Sequence, residues 1–269
     1  MSPLPAEEPA RERLTLTSAL RRGLDQQQFV LDYQPIIQLR TGVVVGVEAL
    51  LRWDHPEQGR LLPKEFIQVA ERSGLITPLT NFAIDRALAD WPRTAPQAPA
   101  TIAVNLSPRS LHDVTLAGHI RRMLAQHRVN PTNLALEITE NLIMSDPEGS
   151  TRCLAELHAM GVRLIVDDFG TGYSSLSYLR RLPVDQLKID QSFVIGLAAG
   201  EDDTLVRSII DLAHNLGLTV VAEGVETAEV SERLLALGCD LAQGHYIARP
   251  APASDIAAFI SQQNRVDMV

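Results

Sequence analysis

The chain has 269 residues, 45% of them hydrophobic and 21% charged, the balance of a globular protein that buries a substantial core in one large domain or two ordinary ones. Twenty-four Lys and Arg against thirty-three Asp and Glu leave a net charge of −9, which argues against binding a DNA or RNA duplex through a broad basic face. A small phosphorylated ligand stays open, because local carboxylates can hold cations that invert the local charge.

The two cysteines, Cys153 and Cys239, fit neither a disulfide framework nor a thiolate zinc cluster and are expected as apolar fillers. No apolar run approaches the roughly 18–20 residues that span a bilayer, and the N-terminus lacks a signal-peptide core. The expected setting is cytoplasmic, with no membrane segment in this chain; a longer parent could still be anchored to a membrane.

Residues 1–12, rich in Pro, Glu and Arg, read as a tail or remnant linker ahead of a single domain over residues 13–269. Leu14 to Gln27 predicts a short helix leading into the body. Eight apolar, mostly β-branched runs then predict strands: Phe29–Ile37, Val43–Leu51, Thr101–Leu106, Leu134–Glu140, Val162–Asp167, Gln186–Ile189, Leu218–Glu223 and Leu241–Ile247. Between them, Pro63 opens a helix with Phe66, Val69 and Ala70 as its buried stripe, and Gly74 ends it. Asp203 is placed to cap another helix, carrying Leu205, Ile209, Leu212 and Leu216, with Gly217 at its end. Alternating strands and helices imply a parallel sheet. Eight strands in this length imply a closed (β/α)₈ barrel, with a doubly wound open sheet as the rival.

One after another, the predicted strands finish on a group that can bind a metal or move a proton. The series is Glu48, Asn105, Glu137, Asp167 with Asp168, Lys188, Glu223 and Gln243. A single acid after a strand usually means a turn or a helix cap. Seven in succession place a site at the C-terminal mouth of a barrel. Glu48, Glu137, Asp167, Asp168 and the Asn105 amide oxygen form the all-oxygen donor set preferred by Mg²⁺ or Mn²⁺ rather than zinc. Carboxylates packed so closely repel one another unless cations neutralise them. Two ions sharing Asp167 suit in-line attack of water on a phosphodiester, with Lys188 orienting the nucleophile or stabilising phosphoryl charge.

Glu48-Ala49-Leu50-Leu51-Arg52-Trp53 resembles the EAL-domain family, bacterial phosphodiesterases that linearise cyclic di-GMP to pGpG. The resemblance runs from about Leu14 to the C-terminal helix. It also rests on Tyr33-Gln34-Pro35, Val104-Asn105-Leu106-Ser107, Glu137-Ile138-Thr139-Glu140, Asp167-Asp168-Phe169-Gly170-Thr171-Gly172, Lys188-Ile189-Asp190, Ala222-Glu223-Gly224-Val225-Glu226 and Gln243-Gly244. It implies a TIM-like barrel with one antiparallel strand and a first metal on Glu48, Asn105, Glu137 and Asp167. A second metal falls on Asp167 and Asp168. Lys188, with Asp190 beside it, matches the lysine assigned to water activation, and Glu223 an acid required for catalysis as a base or near the metal. Gln34, Leu50, Arg52 and Gln243 match positions at the substrate, Arg52 facing phosphate. Glu140 matches the residue holding the loop from Asp168 to Leu176, with Glu226 in the same supporting acidic pattern. The family further implies a homodimer formed near that loop and an N-terminal GGDEF or sensory domain in a longer parent. The one departure, His245-Tyr246-Ile247 after Gln243-Gly244, lies at the pocket rim and touches no expected metal ligand.

Three rivals fit parts of the pattern. A degenerate module would bind the same nucleotide without turnover. A Schiff-base aldolase would use Lys188 as nucleophile, yet the surrounding acids raise its pKa where that chemistry needs it lowered. Gly170-Thr171-Gly172 after a strand hints at a dinucleotide fingerprint, but Ser175 stands at the next glycine position.

Overall fold

The computed structural model describes residues 8–94, 100–140, 147–171, 179–198 and 202–266. Helix α1 (Glu8–Asp25) leads into β1 (Phe29–Gln38), β2 (Val44–His55) and a short β3 (Gly59–Leu61). Helices α2 (Pro63–Ser73) and α3 (Ile76–Thr94) precede β4 (Thr101–Asn105), and α4 (Pro108–Leu111) and α5 (Leu116–His127) precede β5 (Leu134–Thr139). Then follow α6 (Pro147–Ala159), β6 (Arg163–Phe169), β7 (Gln186–Ile189), α7 (Gln191–Ala198), α8 (Thr204–Asn215), β8 (Thr219–Ala222), α9 (Ala228–Ala236), β9 (Leu241–Ala242) and α10 (Ala253–Val266).

The strand order β1-β9-β8-β7-β6-β5-β4-β2 closes on itself through the β1–β2 pairing, and β3 extends β2 as a hairpin outside the ring. Strand β1 is antiparallel to both neighbours, while β2, β4, β5, β6, β7, β8 and β9 run parallel. The closed barrel with one antiparallel strand therefore stands, and the open doubly wound sheet falls.

Several element boundaries and one stripe differ from expectation, among them β9, which ends at Ala242 rather than Ile247. Helix α1 begins at Glu8, ahead of Leu14. Strand β2 runs beyond Leu51 to His55, because β1 continues to pair with it as far as Phe29↔Trp53 and β3 pairs its other edge. On α8 the buried stripe is Val206, Ile209, Ile210 and Ala213, while Leu205 is half exposed at 51%. That phase points the i, i+3, i+4, i+7 face at the sheet and leaves Leu205 on its flank. Asp203 makes no side-chain cap; Asp202 does, accepting the Thr204 N–H at 3.0 Å.

The main core lies between the strands' outer face and the helices, around residues such as Leu136, Leu164, Leu187 and Val220. A second cluster, with Phe29, Trp53, Phe66 and Leu79, seals α1 and α2 against the start of β1. Inside the barrel the period-2 alternation of each strand stacks side chains in layers. Ala103, Ala135 and Ile165 form one packed group, and Ile36, Val221 and Leu241 another. Gly46 belongs to that floor, where a Cβ would come within 2.8 Å of the Thr101 hydroxyl. Two residues further along each strand, the next inward layer is polar.

Candidate active site

That layer consists of Glu48, Asn105, Glu137, Asp167, Lys188, Glu223 and Gln243, on or just beyond β2, β4, β5, β6, β7, β8 and β9. Glu48 is not at a strand end, since β2 runs on, but it stands where the parallel ladder with β4 stops, at Ala49↔Val104. Strand β9 ends at Ala242; Gln243 follows it, its N–H bonded to the Ala222 carbonyl at 2.9 Å and its own carbonyl accepting from Val225 at 3.1 Å.

Lys188 is fully buried and central. Its Nζ lies 2.5 Å from Glu223 Oε1, 3.0 Å from Glu137 Oε2, 3.2 Å from Glu48 Oε2 and 3.5 Å from Asp167 Oδ1. Four carboxylates thus surround one ammonium. Asn105 donates its Nδ2 to Glu48 Oε1 at 2.8 Å, and Gln243 donates to Glu48 Oε2 at 2.7 Å and to Gln34 Oε1 at 2.9 Å.

The electrostatics follow from this crowding. Burial alone would push Lys188 down, yet the facing carboxylates, Glu137 and Glu223 foremost, hold it well above its usual range. Burial and the nearby Glu48 charge drive Glu137 well above the ordinary carboxylate range, against the pull of Lys188. Glu48 goes the other way: burial would raise it, but Lys188 and the Gln243 hydrogen bond outweigh that and leave it lowered. Glu223 is pushed up to about 7 by burial, against Lys188 and with help from Asp167.

Strand β6 carries two consecutive acids to one place by a bulge. Its register slips between Val166 and Phe169, and Asp168 sits in the left-handed region at φ 54. Such a conformation costs a non-glycine residue about 1–3 kcal/mol, a local strain typical of functional sites. It turns Asp168 back so that Asp167, Asp168 and Glu223 each present an oxygen within 4.8 Å of the others. Burial and the Asp167 charge raise Asp168. Glu140, odd in parity to Glu137, is buried and accepts the Gly170 N–H on Oε2 at 3.1 Å. The loop from Gly172 onward, to which the expected Glu140 anchor and the Gly170-Thr171-Gly172 fingerprint both extend, lies outside the described residues.

A cleft of about 280 Å³ opens over this cluster, lined by residues that include Gln34, Leu50, Gln191, Glu226 and His245. Glu226 is exposed on its wall. Asp190 faces its own helix start, accepting the N–H of Ser192 at 3.0 Å and the Ser192 hydroxyl at the head of α7. Arg52 lies on the inward face of β2 next after Leu50, its Nε bonded to Asp32 Oδ2 at 3.0 Å. Asp32, Arg60 and Gln191 escaped the sequence reading. Asp32 had a signal: it stands two residues before Gln34 on the same strand and so shares its face.

The EAL domain model matches residues 17–250. The chain belongs to the EAL-domain family. It is 42% identical over 264 residues to the bifunctional diguanylate cyclase/cyclic di-GMP phosphodiesterase MucR of Pseudomonas aeruginosa, a match covering 94% of this chain and 37% of MucR. It is 40% identical over 254 residues to the cyclic di-GMP phosphodiesterase NbdA of the same organism, covering 93% of this chain and 32% of NbdA. The chain therefore spans about a third of the length of these curated relatives. Among solved structures, the MucR phosphodiesterase in complex with c-di-GMP aligns at TM-score 0.86 and 42% identity, covering 90% of this chain and 99% of that one. The EAL domain of FimX from P. aeruginosa, bound to c-di-GMP, aligns at 0.81 and 26%, covering 88% and 96%.

The donor set of this EAL domain suits a hard divalent cation. It is all oxygen, and Glu137 Oε1 is buried with no hydrogen-bond partner among the described residues. No helix among the described residues is long and apolar enough to cross a membrane.

Proposed function

We propose that this domain hydrolyses cyclic di-GMP to linear pGpG by attack of water on one phosphodiester, lowering the concentration of a bacterial second messenger. The observation that carries this reading is the buried Lys188 ringed by Glu48, Glu137, Asp167 and Glu223 at the barrel mouth, beneath a cleft of about 280 Å³. Glu48, Asn105, Glu137 and Asp167 would hold one metal, and Asp167 with Asp168 a second. When bound, Mg²⁺ or Mn²⁺ neutralises the clustered acids and polarises water and phosphate.

The chain's own groups divide the remaining work. Lys188, fixed by four carboxylates, orients the attacking water and stabilises charge on the phosphoryl oxygens. Glu223, whose carboxyl is pushed up to about 7 and which adjoins Lys188, takes the proton that the water sheds as the water oxygen bonds phosphorus. The bond from phosphorus to the ribose 3′-oxygen breaks, and that oxygen gains a proton from solvent. Asp190 contributes negative charge near Asp168 while starting α7. Gln34 and Gln243 form a hydrogen-bonded polar wall, Leu50 an apolar one, and Arg52 supplies the cation that meets a phosphate. Glu140 keeps the Asp168 turn in place through Gly170, with Glu226 adding to the acidic rim. A homodimer, a cytoplasmic setting for this domain, and an N-terminal GGDEF or sensory domain in a longer parent that could itself be anchored to a membrane, belong to the same reading.

Incubation with cyclic di-GMP and Mg²⁺ or Mn²⁺, followed by chromatographic separation, tests it. The expected product is pGpG, abolished by EDTA. Retention of intact cyclic di-GMP with every metal would leave a binding module instead.

A further inference from the structure

We infer that Asp32 is a positioning residue that sets the guanidinium of Arg52 toward a phosphate of the nucleotide, with Arg60 bracing Asp32; this rests on the cyclic-dinucleotide reading above. Strand pairing brings the groups together. Asp32 stands opposite Leu50, and Gln34 opposite Glu48, so the inward face of β1 continues the active-site face outward along β2. Leu50 lines the cleft, and Arg52 is the next residue on that face.

Arg52 is held at two of its nitrogens. Nε donates to Asp32 Oδ2 at 3.0 Å, and Nη1 donates to the Leu51 carbonyl at 2.9 Å. Both partners in the ion pair are largely withdrawn from water, with side-chain exposures of 9% and 10%. Asp32 Oδ1 accepts from Arg60 Nη1 at 3.3 Å, while Arg60 spends Nε and Nη2 on Asp54 Oδ1 and Oδ2 at 2.7 and 3.0 Å. Every side-chain nitrogen of Arg60 is therefore committed. Nη2 of Arg52 is the one nitrogen of the two guanidiniums without a partner among the described residues.

This arrangement has a direct consequence for binding. A free arginine side chain loses rotamer entropy when it grips a phosphate. Here the planar guanidinium is already fixed at Nε by a carboxylate and at Nη1 by a carbonyl, so the ordering cost falls before the ligand arrives. A buried guanidinium stripped of its counterion is also strongly disfavoured, which ties the orientation of Arg52 to the charge on Asp32. The Asp54–Arg60–Asp32 chain, supplied by the β2–β3 hairpin, keeps that carboxylate from turning away.

Steady-state kinetics on metal-saturated protein test the inference. Asp32→Asn should raise KM for cyclic di-GMP roughly 10-fold with kcat within about twofold, the signature of lost binding common to ground and transition states. Arg60→Gln leaves the buried pair intact and should raise KM by a smaller factor, about threefold; it carries the test if Asp32→Asn fails to fold. In an Arg52→Gln background, Asp32→Asn should add nothing to the loss of nucleotide affinity, measured by calorimetry with Ca²⁺ as the metal. A KM that is unchanged or lower in both single variants overturns the inference. So does an Asp32→Asn effect that persists without Arg52. If wild-type protein forms no pGpG, the proposed function fails and this inference with it; if wild type turns over normally and the variants match it, this inference alone fails.

Discussion

Glu140 Oε2 accepts the backbone N–H of Gly170 at 3.1 Å, linking the end of β5 to the turn that carries Asp168. Asp168 is held in a left-handed conformation on that turn, its N–H donating to Asp167 Oδ1 at 3.0 Å. Without the Glu140 acceptor, the Gly170 N–H loses this bond, and the strained turn is freer to relax away from the acidic cluster. Glu140→Ala is expected to stay folded, to lose most of its activity and to bind its second metal more weakly. Metal titrations read alongside pGpG formation check this. Unchanged metal affinity and rate would leave Glu140 as an ordinary strand-end acid.

Lys188 is expected to matter more for turnover than for binding, because its proposed work is on the water and the phosphoryl charge in the transition state. Lys188→Met should lower kcat by about 10²–10³-fold, the usual loss for one strong preorganised electrostatic contact. Nucleotide affinity measured by calorimetry with Ca²⁺ should change far less. Equal losses in both would make Lys188 a substrate anchor.

The barrel and its polar mouth were legible because two patterns coincide. Strands such as β5 and β6 are β-branched or leucine-rich runs, and each places its acid at the same inward parity as an apolar residue two positions earlier. Three features were not legible from the residues alone. Antiparallel β1 alternates no differently from a parallel strand, so its direction came only from the family resemblance. The β3 arm is Gly59-Arg60-Leu61, too short to carry a period. The bulge that turns Asp168 toward Asp167 depends on one backbone angle, which the two adjacent acids did not reveal. Asp32 is marked in the sequence only by its parity with Gln34, and the partner it meets on β2 depends on the strand pairing. The α8 stripe was misplaced since Leu205 and Val206 are both apolar, and only the packing selects between the two phases.

The cysteines give a prediction free of the active site. Burial pushes the Cys239 thiol up to about 12 and the half-buried Cys153 thiol up to about 11, each further raised by a nearby acid. An unfolded thiol titrates near ~8.5. Because the folded values are raised, the stability from keeping these thiols neutral is fully present below about 8.5 and is lost as pH rises through the folded values. Cysteine ionisation should therefore leave stability flat from about pH 6 to 8 and erode it only in alkali. With an aromatic disulfide reagent at neutral pH, Cys153 should react slowly and Cys239 only on unfolding. Rapid labelling of Cys239 in the native protein would contradict its burial in the core.

The central claim is that the acidic ring around Lys188 is a phosphodiesterase centre, and Glu48 joins that ring to the amides beside it. It contacts Lys188, Asn105 and Gln243 together. The decisive measurement is the initial rate of pGpG formation from cyclic di-GMP by wild type and by Glu48→Ala, both shown folded by thermal unfolding and both saturated with Mg²⁺ or Mn²⁺. The account predicts ready turnover by wild type and none detectable in Glu48→Ala, since removing that carboxylate disrupts the metal position that polarises the phosphate. Wild-type turnover by a folded, metal-saturated Glu48→Ala protein would contradict it.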